Sequence, residues 1–226
     1  GLTFIEAYPW QSLSPEARDV MFDHNLQPET LDQVKAKLAS AGVKVVNYGV
    51  VGLPNDEVTC RKIFDFAKYM GIEIIVSEPD EDAFDLIDRL CNEYNIKVAI
   101  HNHPAPSRYW HTDAVLAACK GRSPYIGACA DTGHWVRSGL DPVDSLRKLA
   151  GRIVSLHIKD VDRLAPDAED VPWGTGVGDI EGQLAEIRRQ NIQPVFAIEY
   201  ELPTAEDPQP YIAKCVTYYE TICGKM

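Results

Sequence analysis

The chain has no CxxC pair and no dense cysteine spacing. Its six cysteines, Cys60, Cys91, Cys119, Cys129, Cys215 and Cys223, are scattered. That argues against a zinc ribbon or a disulfide scaffold, and reduced thiols are the simplest reading. Basic clusters are missing as well. Lys and Arg number 22 against 34 Asp and Glu, a net charge of −12. Phosphate backbones are bound by clustered cations, so no nucleic-acid partner is expected, and the acidic balance reads as solubility. No apolar run reaches the roughly 20 residues that span a bilayer, so no membrane partner is expected. No Gly-rich phosphate loop follows any strand-like run, which leaves a dinucleotide site without support. No secretory leader is visible, and a cytoplasmic location is expected. The opening GLTFIEAYP enters a strand almost at once, so an export signal before Gly1 stays open.

What is present is alternation. Strand-like runs occupy Leu2–Ala7, Val43–Val51, Ile72–Ser77, Lys97–His101, Tyr125–Ala130, Ile153–Ile158 and Val195–Tyr200. Amphipathic stretches separate them. In PETLDQVKAKLASAG, Leu31, Val34, Leu38 and Ala41 recur at helical spacing and Gly42 is a stop. The same grammar recurs in NDEVTCRKIFDFAKYMG, EDAFDLIDRLCNEYN, HTDAVLAACKG, DPVDSLRKLAG and IEGQLAEIRRQN, and DPQPYIAKCVTYYETICGK reads as a closing helix. Continuous apolar strands alternating with helices predict a parallel sheet covered by helices. The fold class is α/β, and a (β/α)8 TIM barrel whose first strand is missing fits the seven runs. An open doubly wound sheet is the alternative. A length of 226 residues suits one domain over 1–226.

Four of the strand-like runs stop at metal-binding residue types. They read KVAIHNHP, IGACADTGHW, IVSLHIKD and VFAIEYE. Their polar ends offer His101 with His103, Asp131 with His134, His157 with Lys159 and Asp160, and Glu199. Four of the six histidines sit there. In a parallel barrel every strand delivers its C-terminal end to one face, so these ends can converge. Residues two apart on a strand share a face. Ala99, Cys129, Ser155 and Ala197 therefore lie beneath His101, Asp131, His157 and Glu199 on a narrow interior face. Two histidines and two carboxylates suit one divalent ion: Mn²⁺, Zn²⁺, Co²⁺ or Fe²⁺. Spacing alone leaves His101 and His103 both open as the ligand from the first of these ends.

Together, strand-HNHP, strand-DTGHW, strand-HIKD, the Gly-rich PWGTGVGDI loop and strand-AIEYE resemble the xylose-isomerase-like barrels. Within them the pattern is similar to the sugar phosphate isomerase/epimerase group, which shares its fold with tagatose epimerases, inosose dehydratases and endonuclease IV. The resemblance covers Leu2 to Glu201. It implies one divalent metal, Mn²⁺ first, held by Asp131, His157 and Glu199 with His101 as the fourth ligand. It also implies that His134 contacts a substrate oxygen, Lys159 lies near substrate and Asp160 supports the loop. One position departs from the pattern. The group usually has Glu in an ENHP motif, and this chain has His101 in HNHP. Imidazole can replace the carboxylate as a ligand but not as a two-carboxylate epimerase's base. Glu199 remains as one base, with Lys159 or His103 as its partner.

The expected activity is that of a metal-dependent sugar isomerase or epimerase acting through an enediolate. A lyase or dehydratase that expels a group, as in elimination from 3-keto-glycosides, is the alternative. A non-catalytic sugar-binding barrel is a third reading. Glu6 in TFIEAY is expected to line the pocket. Trp110, Trp135 and Trp173 follow strands and could stack on a sugar face. Arg163 could meet a substrate hydroxyl or phosphate. With no phosphate cradle, an unphosphorylated sugar is expected as the partner, and a homo-oligomer is left open. His24 in FDHNL reads as a solvated loop histidine, and Glu78 in VSEP as a pocket residue or a helix N-terminal charge.

Overall fold

A computed structural model of the chain describes residues 2–201 and 207–224. Gly1 and Lys225, at the two ends of the sequence reading, lie outside the described residues. The chain forms two compact units, Gly1–Ile100 with Ala118–Gly127, and His101–Ala117 with Ala128–Met226.

The first unit carries β1 (Phe4–Ala7), β2 (Lys44–Val51), β3 (Ile74–Ser77) and most of β4 (Lys97–His101). They pair in parallel in that order, with Ile5 against Val45, Asn47 against Ile74 and Val76 against Ala99. Helices α1 (Pro28–Ser40), α2 (Glu57–Met70) and α3 (Phe84–Tyr94) connect them. Helix α2 shows why these segments fold as they do. Asp56 caps it by accepting the Thr59 N–H at 2.8 Å, and Gly71 ends it at φ 74°. Its buried Cys60, Ile63, Phe64, Ala67 and Met70 recur at three- and four-residue intervals, one apolar face of a helix.

The second unit carries β5 (Ile126–Asp131) from Ala128 onward, β6 (Ile153–Ile158) and β9 (Val195–Ile198), again parallel. Helix α4 (Thr112–Cys119) precedes β5. After it come α5 (Thr132–Arg137), α6 (Pro142–Lys148), α7 (Ile180–Gln190) and α8 (Gln209–Cys223). The seven expected strands are all present, with ends moved by up to two residues. Two features were not foreseen. Helix α5 begins directly on the end of β5. A small antiparallel hairpin, β7 (Asp160–Val161) with β8 (Asp170–Val171), sits between β6 and the Gly-rich segment. Val136 of α5 packs with Val161 and Ala168 of this hairpin, which joins the two features.

Among the described residues all six cysteines are free thiols, and only Cys223 is exposed. No helix among them is long and apolar enough to cross a membrane. His24 is not solvated as expected. Its Nδ1 lies 3.3 Å from the Tyr48 hydroxyl, and its ring sits edge-on to Phe66.

Candidate active site

The candidate ligands belong to the second unit, and strand register brings three of them together. Asp131 pairs with His157 across β5 and β6, and His157 pairs with Ala197 across β6 and β9. Glu199 therefore follows the end of β9 beside His157, and its Oε2 lies 2.6 Å from His157 Nδ1. His101 Nε2 lies 3.5 Å from Asp131 Oδ2. One ligand atom from each of His101, Asp131, His157 and Glu199 lies within 4.8 Å of the others. An ion with bonds of about 2.0–2.2 Å spaces its ligand atoms roughly 3–4.4 Å apart, so the set fits one ion with small adjustments.

Asp131 is fully buried and its two oxygens divide the work. Oδ1 accepts the His134 N–H at 2.8 Å and so caps α5. Oδ2 makes no hydrogen bond and instead faces the Lys159 ammonium at 3.1 Å and His134 Nε2 at 3.5 Å. The Lys159 ammonium meets this oxygen as an ion pair, but without a hydrogen bond the oxygen keeps lone pairs to offer a metal ion. That observation supports the fit to a metal. Burial alone would raise the Asp131 pKa. The Lys159 charge, His134 and His101 outweigh it and hold the carboxyl well below its usual range.

Asn102 fixes the backbone beneath. Its carboxamide donates to the Asp131 carbonyl and accepts the Asp131 N–H, both at 2.9 Å. Thr132 Oγ1 accepts the Lys159 N–H at 3.2 Å and donates to its carbonyl at 3.3 Å. Gly133 lets the lysine pass, since a Cβ there would stand 2.5 Å from Lys159 Cβ. Gly133→Ala is expected to cost about 1–3 kcal/mol, the usual cost of overpacking, and to displace Lys159. A wild-type urea midpoint and wild-type Mn²⁺ affinity in that variant would show that the contact yields freely.

Lys159 is 1% exposed. Its ammonium reaches three carboxylates: Asp131 at 3.1 Å, Glu199 at 3.3 Å and Glu201 at 2.9 Å. Burial would lower its pKa, but these three anions raise it, so the lysine is a fixed cation. Burial likewise pushes Glu199 upward, and His157 and Lys159 reverse this and bring it down to about 2. Desolvation lowers His134 to about 4, with Lys159 and His101 acting in the same direction. The ring is therefore neutral at pH 7.

The structure separates the two histidines of HNHP. His101 is buried at 1% exposure and is the one whose ring nitrogen groups with Asp131, His157 and Glu199. His103 is exposed, and its ring lies over that of His101 with centroids 4.6 Å apart. Sequence reasoning missed Glu201, Arg137 and Asp170. A strand-end alternation reading of AIEYE could have flagged Glu201, which lies two residues beyond Glu199.

Asp160 supports the Gly-rich segment. Its carboxylate accepts the N–H groups of Gly174, Gly176 and Gly178, each at 2.9 Å. The stacking role expected of two tryptophans does not match their surroundings. Trp135 is 1% and Trp173 3% exposed. Trp173 donates from Nε1 to the Ile158 carbonyl at 3.2 Å. Both rings pack the interior and offer no open face, because a large aromatic gains more from burial than from a wet surface. Arg163 is tied to its own hairpin, with Asp162 at 2.5 Å and Asp167 at 3.2 Å. Trp110 is half-exposed and rests on His111, with centroids 5.1 Å apart. Glu6 belongs to the first unit, where it accepts from Asn47 Nδ2 at 2.9 Å.

The chain is a parallel α/β protein whose strand ends gather two histidines, two carboxylates and a buried lysine, a donor set that could hold one metal ion. The sequence profile of the xylose isomerase-like TIM barrel matches residues 1–216, and the chain belongs to that family. A crystal structure of a protein from Parabacteroides distasonis ATCC 8503 is 33% identical, with a TM-score of 0.75 over 98% of this chain and 88% of that one. A D-psicose 3-epimerase crystallised in the presence of D-fructose is 11% identical and superposes with a TM-score of 0.76, over 99% of this chain and 90% of that one. At that identity the likeness is one of fold. An inosose dehydratase of Clostridium tetani (strain Massachusetts / E88) is 34% identical over 76 residues, 33% of this chain. The chain spans only 25% of that relative's length.

Proposed function

We propose that this protein is a divalent-metal-dependent sugar isomerase or epimerase that moves a proton at a carbon next to a carbonyl. The observation that carries the reading is the buried set of His101, Asp131, His157 and Glu199 with the Lys159 ammonium against two of its carboxylates. A bound ion, Mn²⁺ in the first instance and otherwise Zn²⁺, Co²⁺ or Fe²⁺, would act as a Lewis acid on the substrate carbonyl.

The protein's own groups do the rest. Glu199, with a side chain 31% exposed, is placed to take the carbon-bound proton. Lys159 holds positive charge where a substrate oxygen gains negative charge. His134 presents an uncharged ring to a substrate oxygen. His103, exposed above His101, is placed to return a proton. Glu201 restores a second carboxylate that the Glu-to-His change at position 101 removes. Trp110 and Arg163 remain proposed substrate neighbours. With no anion cradle left open by Asp160, an unphosphorylated sugar is the proposed substrate.

Elimination by a lyase or dehydratase is the second reading. It is favoured by His101 in place of a carboxylate and by the inosose dehydratase match. The test begins with elemental analysis of wild type and His101→Ala after loading with Mn²⁺ and removing excess. Near-stoichiometric metal that falls in the variant is expected. Loaded enzyme is then incubated with keto-sugars in deuterated water. Deuterium in recovered sugar supports the first reading and an unsaturated product the second. Metal binding without any turnover points to a sugar-binding barrel, and the absence of specific metal in folded wild type sinks the proposal.

A further inference from the structure

Among the described residues the ladder of β9 with β6 ends at Ile198, opposite Ile158. Glu199, Tyr200 and Glu201 continue past it, outside any strand. Yet this stretch carries chemistry. Glu199 is a candidate ligand, and Glu201 reaches the Lys159 ammonium at 2.9 Å. A ligand carboxylate has to be held to within about 0.5 Å of its working position. Strand pairing does not hold it here, so a contact from elsewhere in the unit has to.

Asp170 supplies that contact. It lies on β8, and its side chain is 1% exposed. Its Oδ2 accepts the Glu201 N–H at 2.8 Å, and its Oδ1 accepts from Arg137 Nη2 at 2.5 Å. Both bonds are charge-assisted, the stronger kind. Arg137 closes α5 and is held by the hairpin a second time, because its Nε donates to the Ala168 carbonyl at 3.0 Å. Val136 beside it packs on Val161 and Ala168. At the other end of this six-residue helix stands Asp131, whose Oδ1 is the cap. The hairpin therefore holds both the helix that starts at Asp131 and the stretch that carries Glu199. With the guanidinium on Oδ1, the Asp170 carboxylate is turned so that Oδ2 meets the Glu201 backbone.

We propose that Asp170 is a positioning residue that clips the Glu199–Glu201 stretch to the end of α5, and so fixes the spacing of the two carboxylate ligands, Glu199 and Asp131. It acts on Glu199 only through the backbone, by way of the Glu201 N–H. The consequence for metal affinity rests on the metal reading above; the clip itself does not. Outer partners that orient ligands commonly matter by about 10–100-fold in metal affinity.

The experiment is amide hydrogen exchange, read residue by residue by NMR on metal-free protein. Wild type is expected to protect the Glu201 N–H. In Asp170→Ala its exchange is expected to speed up by about 10–100-fold, the worth of a hydrogen bond to a charged group. The amide of Leu156, paired on both sides within β6, is expected to change far less. Asp170→Asn keeps an oxygen that can accept and is expected to recover part of the protection. Mn²⁺ affinity is expected to fall by about 10–100-fold in Asp170→Ala and by less in Asp170→Asn. A wild-type Glu201 amide that exchanges as fast as one in an unstructured chain would overturn the proposal whether or not any variant folds. So would a folded Asp170→Ala in which Glu201 and Leu156 speed up equally, which marks general loosening, or one that binds Mn²⁺ as wild type does. If wild type binds no Mn²⁺ the metal reading fails, and the exchange data still decide whether Asp170 holds the stretch.

Discussion

Asp131→Asn is expected to abolish stoichiometric metal binding, with affinity falling by more than about 100-fold, beyond the 10–100-fold typical of an outer partner. The side chain is fully buried, and Oδ2 is the atom with no hydrogen bond. Asparagine keeps the shape. It also keeps an oxygen for the α5 cap, now made by Oδ1 to the His134 N–H. It loses the charge, and if the cap retains the amide oxygen, the NH₂ donors point at a lysine that is itself donor-only. The check is thermal unfolding with and without Mn²⁺ beside elemental analysis. A ligand at 100 times its dissociation constant stabilises a folded protein by about 2.7 kcal/mol. Wild type is expected to gain on that scale and the variant to gain nothing. A variant that still responds to Mn²⁺ would remove Asp131 from the ligand set.

Lys159→Met is the second change with a large expected effect. Methionine fills similar space but leaves Asp131 and Glu199 facing each other with no internal cation. Breaking a buried ion pair by removing one partner typically costs about 3–5 kcal/mol, and the same loss is expected here for metal-free protein at pH 7. The pH dependence follows from the directions of the shifts. Asp131 and Glu199 titrate below their unfolded values in the wild type. Their contribution is present above roughly pH 4 and is lost as pH falls through the folded values, about 2 for Glu199. Lys159 titrates above its unfolded value, so its contribution is complete below about pH 10.4 and is lost only as pH rises through the folded value.

Without the lysine, burial and mutual repulsion raise both carboxyls. The variant is then least favoured where they must be charged. Its deficit is expected to be largest near neutrality and to shrink as pH falls from about 5 toward 3. Urea unfolding of metal-free wild type and variant at pH 7 and pH 3.5 measures this. Equal deficits at the two values would show that the lysine acts through packing and not charge. Added Mn²⁺ is expected to recover part of the loss at pH 7, because a cation again meets the two carboxylates.

The sequence by itself determined the parallel α/β plan and the polar strand ends, because both are local. Period-two alternation within KVAIH, IGACAD and IVSLHI puts each polar residue above a small one, and apolar runs broken by capped helices need no distant information. It carried the family resemblance and the ligand candidates Asp131, His157 and Glu199 for the same reason. Spacing left His101 and His103 both open, and only the family resemblance pointed to His101. Only the fold buried one against Asp131 and exposed the other.

Everything that tunes the site came from contacts between residues far apart in the chain. Glu201 meets Lys159 across 42 positions, and Arg137 meets Asp170 across 33. Asn102 reads as a spacer inside HNHP, and its carboxamide in fact clamps the Asp131 backbone 29 positions on. Helix α5 is six residues long, too short for a hydrophobic period to announce it, and its start is set by the Asp131 cap. Trp135 and Trp173 looked like stacking residues because they follow polar strand ends. Their burial is a property of which elements close over them, and no local pattern records that. Strand periodicity fixes which face a side chain takes, whereas pairing of charges and hydrogen bonds depends on distances that exist only once the second unit has folded.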